Sequence, residues 1–261
     1  MAEQWSGFSY IVTNLARFIR PDEITFSGVN STLPMLACLL AKRAYDWDYV
    51  YINVAGGVDP RPSHIPLSSS DPVLAEHSAS IFANEDFYDL CTRGCMDLAF
   101  LGAAQIDGAG RANNSCIGDW HAPKVRLPGG GGGAVMTPTA RRCCTWRTEH
   151  SRRVFVDRLD FVTSGGGFAG VATPIAVFVR RNGRLTLQSW HPESSLEEVR
   201  ERTAFDFDAQ GAGPTPPPTQ AERRALRELD ADGRFERDAA VTLRPDAPAD
   251  KGGGRPLAAR S

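Results

Sequence analysis

The chain has 261 residues, 42% of them hydrophobic and 23% charged, and 29 Lys and Arg set against 31 Asp and Glu leave a formal net charge of -2. These are the proportions of a globular chain long enough to bury a core without a disulfide or metal staple. The near balance of charge excludes the basic excess of a nucleic-acid binder and the one-signed field of a polyanion-steered surface, and no apolar run reaches the roughly 18 residues of a membrane-spanning helix.

The opening twenty residues carry no basic stretch followed by an apolar segment and a small-residue cleavage site, so no export signal is read. The cysteines, Cys38, Cys91, Cys95, Cys116, Cys143 and Cys144, fit neither a disulfide framework nor paired metal spacing. Free thiols, no metal and a cytoplasmic chain are therefore expected.

In chain order, Ile11, Leu15 and Phe18 lie near helical spacing over 9–20. Ile24 and Phe26 alternate in a short strand that ends at Gly28. Asn30, Ser31 and Thr32 offer caps to a helix over 33–45, with Pro34 in its first turn. Residues 49–54 form a compact apolar strand stopped by Gly56-Gly57, residues 86–93 a helix, and residues 96–101 a buried strand stopped by Gly102. Residues 151–161 read as the entry to a helix or strand. Residues 173–179 and 185–190 pair as a hairpin through Asn182-Gly183. Ser194 or Ser195 caps a helix over 196–203, with Glu197 and Glu198 well placed at its start.

Alternating strands and helices predict one α/β domain over 1–207, with a largely parallel sheet flanked by helices. From Asp208 proline and glycine dominate, so 208–238 reads as a linker with a docking helix over 221–229, and 239–261 as a disordered tail. Ligands of such sheets sit beyond the carboxyl ends of the strands, which points to the glycine turns at Gly56-Gly57, Gly102 and Gly129–Gly133.

The run LPGGGGGAVMTP is the most prominent feature. Glycine lets a backbone approach a ligand closely, and its N–H groups cradle phosphate or stabilise an oxyanion. The run lacks the Lys-Ser/Thr of a P-loop and the spacing of a dinucleotide fingerprint. A flexible linker is the plainer reading, but apolar Leu127 and Ala134-Val135-Met136 flank it rather than polar spacer. The strand end Asn53–Asp59 is a natural substrate floor, though taken alone it reads first as an ordinary turn, and the amide-rich stretch Ala104–Asn114, built of ordinary turn residues, is a candidate pocket lining. The five histidines are scattered and no nucleophile elbow occurs. Glu149-His150 could be an acid–base pair, but such a pair more often caps or bridges a surface turn.

Five ordered segments together resemble the β subunits of family I coenzyme A transferases, from the N-terminus to about Phe235. They are Ala104–Asn114, matching that family's Q-x-D-x-x-G-N-x-N stretch, Leu127–Ala134, matching its G-x-G-G-A loop, and HSRRVFVDRLDFVTS over 150–164. LTLQSWHPESSLEEVRERTAFDF and TPPPTQAERRALRELDADGRF follow. The resemblance implies the coenzyme A transferase type of α/β fold, pairing with a related α subunit as an α2β2 assembly, and coenzyme A as part of the substrate rather than a permanently bound cofactor. It implies a loop of Gly130, Gly132, Gly133 and Ala134 in which Gly132 and Gly133 turn N–H donors toward the thioester oxygen.

One departure bears on the chemistry. Transferases of the family carry, after the strand that here ends INV, a glutamate that holds coenzyme A as a covalent thioester. That position falls at Val54, or at Asn53 with a slip of one, and Asp59 lies too far on to replace it. Arg111 also stands where the family usually has asparagine. This profile resembles a branch of the family that hydrolytically opens the last steroid ring in actinobacterial cholesterol breakdown. The resemblance implies a cyclic β-keto acyl-coenzyme A substrate and a catalytic base on the partner subunit. Asn53, Val54, Gly56, Gln105, Asn113 and Asn114 are then expected to line the pocket, with Arg111 pairing a substrate carboxylate or a coenzyme phosphate. A glutaconate- or 3-oxoacid-type transferase subunit is the alternative, and a non-catalytic coenzyme A-binding scaffold a third possibility.

Overall fold

The computed structural model describes residues 5–243. Its centre is a ten-stranded sheet. The strands that matter here are β1 (Ile24–Ser27), β2 (Val50–Asn53), β3 (Leu98–Phe100), β4 (Arg142–Trp146), β5 (Gly170–Ala172), β6 (Ala176–Arg181) and β7 (Arg184–Trp190). The five strands in the order β5-β4-β3-β1-β2 run parallel. Antiparallel β6 and β7 extend one side, followed by a parallel Gly213–Pro214 edge, while the short antiparallel segments Gly57–Val58 and Ser80–Ile81 close the other. The sheet is thus largely parallel, as the alternation of elements predicts.

Side chains alternate between two cores, as the period-two geometry of a strand requires. Tyr51, Leu98, Phe100, Cys144 and Ala172 face α1 (Gly7–Phe18) and α2 (Thr32–Ala44). Phe26, Ile52, Ala99, Cys143 and Val171 face the opposite layer. That layer holds α3 (Asn84–Thr92), α4 (Gly133–Thr139) and α5 (Leu196–Arg202). With both faces covered, the central strands are largely buried, and small polar residues such as Thr25, Ser27 and Thr145 are buried among their apolar ones.

The local signals translate directly. Ser6 caps α1 through the Ser9 N–H and Ser195 caps α5 through the Glu198 N–H. Asn182 and Gly183 take φ 49° and 79°, the left-handed pair of a type I′ turn joining β6 to β7. Three expectations are revised. The apolar run at 173–179 is split, because Thr173–Ile175 makes the turn between β5 and β6. The stretch 151–161 is irregular, with one isolated bridge from Phe155 to Ile106. And β4, a central strand, has no counterpart among the predicted elements.

Beyond 207 the chain is packed rather than trailing. The helix α6 (Gln220–Leu229) begins with a capping box of Thr219 and Glu222 and buries Ala225, Leu226 and Leu229 against α1 and α2. Phe235 and Ala239 of α7 (Arg234–Leu243) join the same core, so α7 runs past the expected start of a disordered tail at 239. The rest of that tail lies outside the described residues.

Candidate functional site

The parallel strands β1, β2, β3 and β4 all end on one edge of the sheet, and the loops leaving them surround a cavity of about 940 Å³. Its size is that of a site for a substantial small molecule. Gly28–Ser31 after β1, Val54 after β2, Leu101–Ala104 after β3 and Arg147 after β4 contribute walls. Phe26, Phe82, Phe87 and Phe100 add an apolar lining, Ser68–Ser70 a polar rim, and Gly129–Gly133 the remaining side.

Val54 stands at the tip of β2, its N–H donating to the Ser27 carbonyl at 3.2 Å, and lines the cavity. It therefore shares a chamber with the glycine run. No Asp, Glu or His lines that chamber among the described residues, and Arg147 is its one charged side chain. Asp59 is occupied elsewhere: its carboxylate accepts from the Tyr51 N–H at 2.8 Å and pairs with Lys42 at 2.8 Å.

The glycine run is an ordered loop, not a spacer. The Gly129 N–H donates to the Asn114 carbonyl at 2.7 Å, which ties the run to the amide-rich stretch. The Gly133 N–H closes a turn on the Gly130 carbonyl at 2.9 Å, and the Ala134 N–H points back to Gly131. The N–H groups of Gly130, Gly131 and Gly132 take no acceptor among the described residues. The free donors are thus shifted from the expected pair: Gly132 keeps one, Gly133 does not, and Gly130 and Gly131 add two. A Cβ at Gly132 would sit 2.6 Å from the Tyr88 hydroxyl and 2.9 Å from Met136 Cε, so those two side-chain ends must shift to admit one.

The other expected site residues divide clearly. Gly130, Gly132, Gly133 and Asn114 line the cavity; Asn114 is fixed there by accepting from the Ala104 N–H at 2.7 Å and donating to the Gly102 carbonyl at 2.9 Å. Asn53 is wholly buried and turned away: it donates to the Leu74 carbonyl and receives the Ala55 N–H, both at 2.9 Å, so it shapes the turn that presents Val54. Gly56 supplies that turn with φ 95° and lies behind the wall. Asn113 donates to Gln105 and to the Cys116 carbonyl, and Gln105 reaches the Arg153 carbonyl; these amides brace the Gln105–Asn113 hairpin rather than the cavity. Arg111 is held by Asp107 at 2.6 Å, outside the chamber. Ala134, the second residue of α4, is not part of the lining.

Glu149 and His150 do not form an acid–base pair. Glu149 is clamped by both nitrogens of the Arg153 fork at 2.7 Å, and Arg153 heads the influences that hold its carboxyl below the usual range. His150 is buried, stacked on Phe155 and bonded to the hydroxyls of Thr173 and Thr203, and burial lowers its pKa to about 3. Desolvation raises the Cys91 thiol to about 11 and the Cys144 thiol to about 12, which leaves both poor nucleophiles. No cluster suited to a metal ion occurs among the described residues, and no helix there is long and apolar enough to cross a membrane.

Sequence reasoning found the loop but missed most of the walls. Ser31, Ser69, Tyr88, Met136 and Arg147 carry no motif, and only the folding of five separate segments onto one sheet edge assembles them.

Comparison with known proteins agrees with this architecture. The model of the coenzyme A transferase family matches residues 9–202. The β subunit of the 3-oxoadipate CoA-transferase of Pseudomonas knackmussii is 32% identical over 236 residues, spanning 83% of this chain and 90% of that protein. The β subunit of the glutaconate CoA-transferase of Acidaminococcus fermentans is 30% identical, spanning 82% and 88% respectively. The cholesterol ring-cleaving hydrolase IpdB subunit of Rhodococcus jostii is 30% identical over a shorter 164 residues, 55% of this chain and 62% of that one. Among solved structures, the decarboxylase AibA/AibB superposes with a TM-score of 0.83 at 26% identity, covering 90% of this chain and 98% of its counterpart.

Proposed function

This chain belongs to the coenzyme A transferase family, and from that premise we propose that it is the β subunit of a heteromeric enzyme that cleaves a carbon–carbon bond in an acyl-coenzyme A without taking the coenzyme onto itself. The reaction we assign is hydrolytic opening of a ring in a cyclic β-keto acyl-coenzyme A, as in the degradation of a steroid ring. The observation that carries the proposal is Val54: an aliphatic residue stands at the strand tip, in the cavity that the glycine loop also lines, and no carboxylate lines it among the described residues. Two relatives by sequence or fold, a ring-cleaving hydrolase and a decarboxylase, are named for breaking carbon–carbon bonds, which supports the reading.

The steps follow from what this chamber offers. A base on the partner α subunit takes a proton from water, and the hydroxide adds to the β-keto carbon. The bond from that carbon to the α carbon breaks, leaving a carboxylic acid and a thioester enolate. The N–H groups of Gly130, Gly131 and Gly132 receive the negative oxygen as it forms. A proton then returns to the α carbon. Coenzyme A enters and leaves as part of the substrate, and no resident cofactor is called for.

The two transferase subunits at 32% and 30% identity favour the second reading, transfer of coenzyme A between glutaconate- or 3-oxoacid-type acids. Borohydride separates the two. The chain, co-expressed with its α-type partner and loaded with acyl-coenzyme A, is treated with borohydride and its peptides are weighed. We expect no reduced or coenzyme-bearing peptide from this chain and a ring-opened acid in the products. A modified side chain in the 50–60 region would establish transfer instead.

A further inference from the structure

Arg147 leaves the end of β4 and lines the cavity, where it is the one charged side chain among the described residues. Its backbone is anchored, with the N–H donating to the Ala172 carbonyl at 3.0 Å. Its side chain is not: Nε is shut off from solvent without a hydrogen-bond partner, and no ion pair of the guanidinium occurs among the described residues. Burial is the main influence on the group and lowers its pKa, Glu149 opposes that, and Arg153 adds to it. Glu149 is not a free partner, because both its oxygens are held by the Arg153 fork and one also accepts from Ser151.

A half-buried cation in a largely apolar chamber, with Glu149, the carboxylate that acts on it, already committed to Arg153, is costly, and an incoming anion lowers the cost. The guanidinium fork matches a carboxylate in two parallel hydrogen bonds. Arg111, the arginine that the sequence suggests for this task, is already paired with Asp107.

We infer that Arg147 receives a free carboxylate carried by the acyl group, and so sets the enzyme's preference for acyl-coenzyme A substrates with a second acid function. The inference rests on the reading of the chamber as an acyl-coenzyme A site. A phosphate of the coenzyme is the competing anion. The pantetheine arm, however, holds the phosphates far from the thioester, whereas Arg147 shares its chamber with the glycine loop that faces the thioester oxygen.

The test uses the complex with its α-type partner and two non-cleavable coenzyme A thioethers of equal chain length, one ending in a carboxylate and one in a methyl group. Calorimetry of the wild-type complex is expected to show the carboxylate form binding about tenfold to a hundredfold more tightly. Arg147→Met removes that ratio and leaves the methyl form unchanged, while Arg147→Lys keeps part of it. Three results would overturn the inference: no preference in the wild type, a preference that survives Arg147→Met, or an equal loss on both ligands, which assigns the arginine to the coenzyme. If the methionine variant does not assemble, the wild-type ratio and the lysine variant still decide. Because the readout is binding, an enzyme that proves to transfer coenzyme A would refute the proposed reaction without touching this result, and failure of both thioethers to bind would refute the acyl-coenzyme A site itself.

Discussion

Gly132 shows how a single hydrogen atom in place of a side chain bears on chemistry. Its N–H is free, its neighbour Gly133 is spent on a turn, and the space where a Cβ would stand is filled by the Tyr88 hydroxyl and Met136. A larger residue there must push the loop or Tyr88 aside, and α4 begins at the next position. Gly132→Val is expected to lower turnover by about two orders of magnitude, the range for losing one oxyanion donor, while the α-type partner still binds. Steady-state rates alongside light scattering check this. Full turnover in an intact complex would strip the loop of its oxyanion role. Asn53 makes the complementary point: an amide at a strand tip reads as pocket lining in a sequence, yet it is consumed by the Leu74 carbonyl and the Ala55 N–H and leaves Val54 to face the cavity. Only the positions of those backbone groups, set by the return of residues 72–75 beneath the turn, decide between the two roles.

At the scale of elements, α6 binds the C-terminal segment to the domain through an unusual pair of contacts. Arg17 of α1 grips Glu222 at 2.8 Å, and Tyr45 donates to the same carboxylate at 2.9 Å. Burial pushes the Glu222 carboxyl up, but Arg17, the Thr219 N–H and Tyr45 outweigh it and hold the group below its ordinary value. Glu222→Ala would leave Arg17 and Tyr45 facing each other across a gap. We expect a loss of about 2–3 kcal/mol, less than for a fully buried pair because Arg17 is a quarter exposed, which lowers the melting temperature by about 5–10 °C. Thermal melts read by circular dichroism test it, and an unchanged midpoint would mean that apolar packing alone docks α6. Such elements differ in how plainly the sequence shows them. The turn Asn182-Gly183 and the cap Ser195 are chemical signals local to a few residues and translate into structure without change. The strand β4 is spelled RCCTW, too short and too mixed to show a period, and it becomes a strand because β3 and β5 offer backbone partners on both sides. Arg147 inherits that obscurity, since its place in the cavity depends on β4.

For the whole molecule, the buried titratable groups act together and define a window of stability. His150 and His191 are held neutral by desolvation, with pKa values lowered to about 3 and about 4 from the ordinary 6.5. The unfolded chain therefore binds more protons than the folded one below pH 6.5, and stability falls as the pH drops from there through the folded values. Each histidine costs up to about 1.4 kcal/mol per pH unit in that interval. Glu222 and Glu149, held below the ordinary 4.5, add to the loss at the acid end. The alkaline side mirrors this. Burial raises Cys38, Tyr49 and Tyr51 well above their usual values, so the unfolded chain releases protons first and stability declines as the pH rises past about 9. Melting temperatures measured across the range should form a plateau near pH 7–8.5 with a slope on each side. His150→Gln isolates one contribution, because Thr173 and Thr203 keep carbonyl acceptors in Ala176 and Val199 when the ring is gone. Whatever its effect on the midpoint at neutral pH, the variant should have a shallower acid limb between pH 6.5 and 4 than the parent. An identical slope would mean that the imidazole takes up its proton in the folded state, with one threonine hydroxyl or an admitted water meeting the charge.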